Sequence, residues 1–528
     1  MNGLTAFTKL SLAVFATQLL ASCLLCELKH HESLSMYFPI DIPTKKNATF
    51  YTNSRARRHS EYRKHSLPSV VIGELPGYTG WARPDTTDAP FYRIEYTSPQ
   101  PHDVNQVFTI VVTCKSEKCS TRLWAQFYVR MYGPSILTGQ VTSLDNYRYK
   151  IEFLPRFPGN YWVEVVLTFS KGEDVGNFPL SKSKAARSSR DPAYEGFLIA
   201  GFPFGVEVSN EKDVTIPTES RFCQIHDLEV QSLYDGLRLG SWKVVNKVNW
   251  DRYKTLHNKK AVTLRGYQEG RNSLGVWTKF QPTNCNLIPI DLWSEVFNGH
   301  HSCFKAIPLH LIFIGDSVMV MQMKLMRNLT NTSIKVTMIR VKGGIIQNID
   351  YVTLELQRID PTQEVIVIFN SGLHDIGLFC SGKNEKLRPA SMRSPEQYLC
   401  VEEYQEKLTS LARAISSIPT RLNIFQTTSA GWMKWGNYGA AWLPSVEQPY
   451  SLSPHFVHQL NNIAFRVFDE FKNIVVIDAY WLSLARPDNR EVDRVNSVGK
   501  HLVHPGLDVL EAMTRSWMNL VLSRLDCV

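Results

Sequence analysis

The sequence predicts a multidomain chain, a β-sandwich followed by an α/β domain with a mainly parallel sheet. Apolar and β-branched residues alternate with a period of two from about residue 85 to 210, whereas strands alternate with amphipathic helices from 308 onward. The length, 528 residues with a 44% hydrophobic and a 20% charged fraction, gives core material for two to four domains. With 12 Trp, 21 Tyr and 26 Phe the composition excludes intrinsic disorder over most of the chain. The charge balance, 58 basic against 49 acidic side chains, is a mild +9 spread along the length. It speaks against nucleic-acid binding, which needs clustered Lys and Arg.

The elements follow in chain order. Leu10 to Cys26 is an almost uncharged run, LSLAVFATQLLASCLLC, preceded by Lys9 and followed by a polar segment. It has the length and flanks of a secretory leader, residues 1–26 acting either as a cleaved signal peptide or as a signal anchor, the chain's one expected membrane contact. Residues 27–67 are polar and basic, including RARRHSEYRKHS from Arg55, and read as a flexible stalk. Strands are expected at Phe108–Val112, Arg122–Met131, Tyr147–Phe153 and Tyr161–Thr168, within a sandwich spanning 68–215. The turn Pro158-Gly159-Asn160 feeding Tyr161 looks immunoglobulin-like or filamin-like, and a Ser- and Lys-rich loop interrupts the sandwich between 170 and 192. Residues 216–305 show weak periodicity but carry Trp242, Trp250, Trp277, Cys223, Cys285 and Cys303, and read as a cross-linked connector.

The last domain, 306–528, has strand candidates at Leu309–Ile314, Ile334–Val341, Glu364–Phe369, Leu422–Gln426 and Ile474–Ile477. Its helix candidates are Tyr404–Ile418, His458–Phe471 and Asp508–Leu525. Outside the leader the cysteines are Cys114, Cys119, Cys223, Cys285, Cys303, Cys380, Cys400 and Cys527, an even set that suits an oxidising lumen. The N-x-S/T triplets at Asn47, Asn328 and Asn331 agree with N-glycosylation there. No pair of cysteines outside the leader has zinc-ribbon spacing, and no metal or bound cofactor is expected.

Ligands of a parallel sheet bind beyond the carboxyl ends of its strands, so the residues just after each strand carry the functional reading. The first strand ends in Gly315-Asp316-Ser317, directly before the apolar helical run Val318–Leu325. A serine there is either a helix cap or a nucleophile whose backbone N–H favours developing negative charge. The second strand ends in Gly343-Gly344, where a backbone N–H can approach a substrate oxygen. The third ends in Asn370-Ser371-Gly372-Leu373-His374-Asp375, with the Asn370 amide offering a further donor. Ser317, Gly343 or Gly344, and Asn370 would together form a three-donor oxyanion hole. A serine needs a base, and either His501 or His504, in the Pro-Gly loop before the final helix, would serve; His374 is the weaker candidate.

These blocks resemble the SGNH or GDSL hydrolases, and most specifically their PC-esterase branch. Motif support comes from Gly315, Asp316, Gly372 and His374 in the same order. With a neurexophilin-like sandwich ahead of it, the chain after the stalk resembles the neurexophilin and PC-esterase domain (NXPE) family. The resemblance implies a secreted or lumenal protein, in the Golgi for example, that acts on acyl esters of glycans. Members of the wider group acetylate cell-wall polysaccharides or sialic acids, which points to a glycan or glycoprotein substrate, sialic acid included, and to acetyl-CoA as donor. One departure matters, because the group carries Asp-x-x-His. Here His501 stands three before His504, and Val498 three before His501. Aligned on the trailing Pro-Gly, His501 matches the plant glycan acetyltransferases; aligned on His-Pro, His504 matches the bacterial hydrolases. Asp493 or Asp478 would supply the orienting carboxylate from upstream.

Two functions follow. The first is a serine-dependent glycan O-acetyltransferase or O-acetylesterase. The second is a secreted binding protein whose sandwich recognises a cell-surface protein partner beside a catalytically idle SGNH-like domain, since fold does not imply function. A lipase is disfavoured, because neither an HGGG-type segment nor a G-x-S-x-G elbow is present.

Overall fold

The computed structural model describes residues 91–525, apart from internal stretches of which the longest are 170–196, 246–276, 376–399 and 432–452. The leader, the stalk, the start of the sandwich, the Ser- and Lys-rich loop and Asn47 lie outside the described residues.

The sandwich is built from two sheets. The strands in chain order are β1 (Tyr92–Thr97), β2 (His102–Asp103), β3 (Phe108–Cys114), β4 (Gln126–Tyr132), β5 (Ser135–Thr138), β6 (Gln140–Ser143), β7 (Arg148–Phe153), β8 (Gly159–Phe169), β9 (Phe197–Leu198) and β10 (Phe204–Ser209). One sheet is four-stranded, ordered β1-β3-β7-β6. The other is ordered β12-β11-β5-β4-β8-β10-β2, with β9 on β8, where β11 is Gly240–Val245 and β12 is Trp277–Pro282. The segment read as a connector therefore contributes two strands to the sandwich, a correction to the expected boundary at 215. Strand pairing explains it: β11 lies antiparallel to β5, with Trp242 opposite Ile136, and such a long-range partner leaves no local signal.

Alternation along β4 and β8 divides two cores. Phe127, Val129, Met131, Val163, Val165 and Leu167 face the four-stranded sheet, while Tyr128, Tyr132 and Val166 belong to the core that continues into the α/β half. The larger sheet is thus covered on both faces. On the second face Arg130 and Glu164 are cross-strand neighbours and form a buried ion pair, Nη2 to Oε2 2.9 Å. The Tyr128 hydroxyl donates to the Leu484 carbonyl at 3.1 Å, and the Trp242 indole N–H to that of Leu482, also at 3.1 Å. Disulfides join Cys114 to Cys119 and Cys223 to Cys285. They fit a secreted or lumenal protein. Among the described residues no helix is long and apolar enough to cross a membrane.

The third sheet is wholly parallel: β13 (Leu309–Gly315), β14 (Lys335–Arg340), β15 (Glu364–Phe369), β16 (Leu422–Gln426) and β17 (Ile474–Ile477), ordered β14-β13-β15-β16-β17. Nearly uninterrupted apolar runs such as LHLIFI and EVIVIF suit strands buried on both faces. The helices in chain order are α1 (Ile225–Leu228), α2 (Gly236–Leu239), α3 (Ser317–Leu329), α4 (Ile349–Gln357), α5 (Cys400–Ser416), α6 (Pro454–Asp469), α7 (Tyr480–Leu484) and α8 (Leu507–Arg524). Helix α3 packs with α8, and α5 packs with α4 and α6. α6 begins on a clear signal, Ser453 Oγ accepting the Phe456 N–H at 3.1 Å with Pro454 in the first turn. The hairpin β18 (Arg490–Asp493) and β19 (Gly499–Pro505) leads into α8. Asn328 falls in the last turn of α3, and Asn331 lies outside the described residues.

Two histidines of α6 stand where the halves meet. His455 Nε2 is 2.8 Å from Thr168 Oγ1, and the His458 ring packs against Tyr480 and Trp481. Enclosure pushes their pKa values down, to about 3 for His455, where the neighbouring His458 adds to the effect, and to about 4 for His458. In the unfolded chain both rings bind a proton near 6.5, so the stability they confer is complete above that pH and is lost as pH falls toward 4. Asp478 opposes this, since burial raises it to about 6 and its contribution grows on acidification. The expected result is a melting temperature that declines between pH 6.5 and 4, with a shallower decline in His455→Gln; thermal melts at intervals of half a pH unit check it.

Candidate active site

The strand order places β13, β14 and β15 side by side at the point where the sheet's winding reverses, since β14 lies on one side of β13 and β15, β16 and β17 on the other. The crevice beyond the carboxyl ends of such strands is the open position of a parallel sheet. Gly315-Asp316-Ser317, Gly344 and Asn370 follow the three strands that border it.

Asp316 and Ser317 divide the two roles open to this tripeptide. Asp316 Oδ1 accepts the Val318 N–H at 2.9 Å and caps α3, so the serine is not needed as the cap. Ser317 opens the helix, half-buried, with its Oγ 2.8 Å from His504 Nε2. The backbone N–H groups of that first turn have no intrahelical acceptor and carry the positive end of the helix dipole. His504 is the penultimate residue of β19, held between the hairpin and the Pro505-Gly506 entry to α8.

The blocks interlock by close approach. A methyl group on Gly372 would overlap Asp316 Oδ2, and one on Gly315 would overlap the Asn370 carboxamide oxygen. Asn370 therefore packs directly on the backbone that presents Ser317, and its N–H donates to the Ile314 carbonyl at 3.2 Å. Its Oδ1 is buried without a hydrogen-bond partner. Gly344 lies against the Asp375 carboxylate, which also accepts the Gly372 N–H at 3.1 Å. His374 points to solvent, whereas Asp375 is fully buried.

Behind Asn370 lies a buried polar layer that the sequence motifs touch only at Ser371. Ser371 Oγ pairs with the Tyr404 hydroxyl at 2.7 Å, whose ionisation burial disfavours, and the Ser371 carbonyl accepts from Thr428. Asn461 brackets Thr428, accepting its N–H and donating to its carbonyl, both at 2.9 Å. The signal that could have found these residues is polar side chains at core positions of helices: Tyr404 on α5 and Asn461 on α6 are buried.

The remaining candidates fall as follows. Asp478 does not orient a base: its carboxylate accepts the Tyr480 N–H at 2.9 Å, the Trp481 N–H at 3.1 Å and the Thr427 hydroxyl at 3.2 Å, capping α7. Asp493 pairs with Gly499 in the hairpin and His501 lies in β19, but the side chains of both, like the whole of Gly343, lie outside the described set. Among the described residues no three His, Cys, Asp or Glu side chains gather as a metal site would require.

No family model matches the chain, and no curated protein sequence matches it. Among solved structures it is similar to the crystal structure of the Lin-41 filamin domain, at 15% identity and a TM-score of 0.16, over 23% of this chain and 94% of that one. A likeness of that size carries no argument, and the chemistry rests on the geometry of Ser317 and its neighbours.

Proposed function

We propose that the chain is a serine-dependent acyl-transfer enzyme of the secretory pathway, a glycan O-acetyltransferase or O-acetylesterase of the NXPE type, with an SGNH-like catalytic half behind a neurexophilin-like sandwich. The observation that carries the reading is the 2.8 Å contact between Ser317 Oγ and His504 Nε2 at the carboxyl end of a parallel sheet. His504 takes the hydroxyl proton as Ser317 attacks the acyl carbon. The oxyanion that forms is stabilised by the Ser317 N–H, the Gly344 loop and Asn370. Collapse expels the thiol of acetyl-CoA or the hydroxyl of a sugar ester, which leaves with the proton held by His504. In the second half the histidine takes a proton from a sugar hydroxyl, or from water in an esterase, whose oxygen attacks the acyl-serine and frees Ser317. Sialic acid is the substrate the NXPE resemblance favours, in the Golgi or outside the cell.

The test compares the protein with Ser317→Ala, both made through the secretory pathway, by mass spectrometry of O-acetyl groups on the glycans of the producing cells. A serine-dependent gain is expected of a transferase and a serine-dependent loss of an esterase. No change, with both proteins folded and secreted equally, would turn the reading to the binding protein whose sandwich meets a cell-surface partner.

A further inference from the structure

Arg486, just after α7, has a guanidinium shielded completely from solvent, a costly place for a charge unless it is held from several sides. Its Nη1 donates to the hydroxyl of Thr278, on β12. Its guanidinium carbon lies over the Trp242 ring, on β11, 4.8 Å from the centroid. Its Nη2 reaches Asp508 Oδ2 at 3.3 Å. Two of these partners belong to the large sheet of the sandwich, whereas Asp508 is the second residue of α8.

Asp508 lies four residues after the histidine, in the first turn of the helix that His504 leads into. The Gly506 carbonyl already accepts the Leu510 N–H at 2.9 Å, so the helical hydrogen bonding starts there, and only Pro505 separates it from His504. A residue before proline is confined to extended backbone, which His504 adopts at the end of β19. The backbone that carries the imidazole consequently has little freedom to move independently of the α8 N-terminus. We propose that Arg486 is a positioning residue through which the sandwich sheet holds the start of α8, and with it His504, in register with Ser317; this rests on the reading of Ser317 and His504 as the catalytic pair. The sandwich is then part of the catalytic scaffold, because β11 and β12 each supply a group that holds the guanidinium.

The experiment measures inactivation of the full-length secreted protein by a fluorophosphonate, a serine-directed probe, separating the limiting rate, the half-saturating concentration and the fraction labelled. Thr278→Val, an isosteric change in the sandwich sheet, and Asp508→Asn are expected to lower the limiting rate about 5-fold each, and Arg486→Met about 50-fold, because small displacements of a base are expensive. Arg486→Lys should recover part of that loss. The half-saturating concentration and the fraction labelled stay unchanged. A purely structural role would lower the fraction labelled and leave the rate of the labelled fraction alone, which would overturn the proposal. Thr278→Val and Asp508→Asn decide the matter if Arg486→Met does not fold. Wild-type rates in both would sink the positioning role only, whereas a wild type that labels no faster than Ser317→Ala would sink the catalytic pair and this proposal together.

Discussion

His504→Gln should reduce acyl transfer by about 10³-fold, and His501→Gln by less than about 10-fold, on any acetyl ester the protein accepts. A serine hydroxyl is a poor nucleophile, and the acceleration a base supplies requires hydrogen-bond reach of the proton to be moved. His504 Nε2 is within that reach, 2.8 Å from Ser317 Oγ. For Nε2 to accept, the neutral ring must carry its own proton on Nδ1, and glutamine can accept a hydrogen bond but cannot take the proton. On the proposed mechanism Nε2 of His504 is the base, and a second base from His501 is then not needed. Turnover of p-nitrophenyl acetate, or fluorophosphonate labelling, checks both variants. Combining His504→Gln with Ser317→Ala should cost no more than Ser317→Ala alone, because residues that act as one unit lose their effect together. A chain inactivated by His501→Gln and not by His504→Gln would have the pair wrong.

Much of the α/β half was legible because a parallel strand buried on both faces announces itself. Glu364–Phe369, Leu422–Gln426 and Ile474–Ile477 are unbroken apolar or nearly apolar runs between polar ends, and the strands occupy those residues. α4 was not, because IDYVTLELQ mixes β-branched residues with a short apolar repeat and resembles a strand as much as a helix. β11 and β12 were not, because their neighbours lie far away along the chain, as Trp242 opposite Ile136 does. At the site, strand-end logic picks out Ser317 and Asn370 from sequence position alone. It does not reveal that Asp316 caps the helix and releases the serine, nor that Asp478 is spent on α7. The approach of His504 to Ser317 runs through one irregular hairpin, with a register shift between Arg490 and Val492, which no local pattern encodes.

Gly315→Ala is the second large effect, and its origin is steric. The new methyl group would overlap Asn370 Oδ1, and the amide cannot retreat into the surrounding core, since Asn370 is only 3% exposed and sits between strands β13 and β16. Something must move, and the cheapest motion swings the carboxamide out of the crevice. The expected loss is that of one oxyanion donor, about 10²–10³-fold in turnover, together with a lower melting temperature from overpacking. Asn370→Ala should cost a similar factor in turnover without that clash. The double variant separates the two causes. If Gly315 matters chiefly because it makes room for Asn370, most of the cost of alanine at 315 disappears once the side chain at 370 has been cut back, leaving the backbone strain of a φ of +158°, and the two losses are strongly non-additive. Additive losses would mean that Gly315 acts through the backbone of the Ser317 turn, and that Asn370 contributes independently of it.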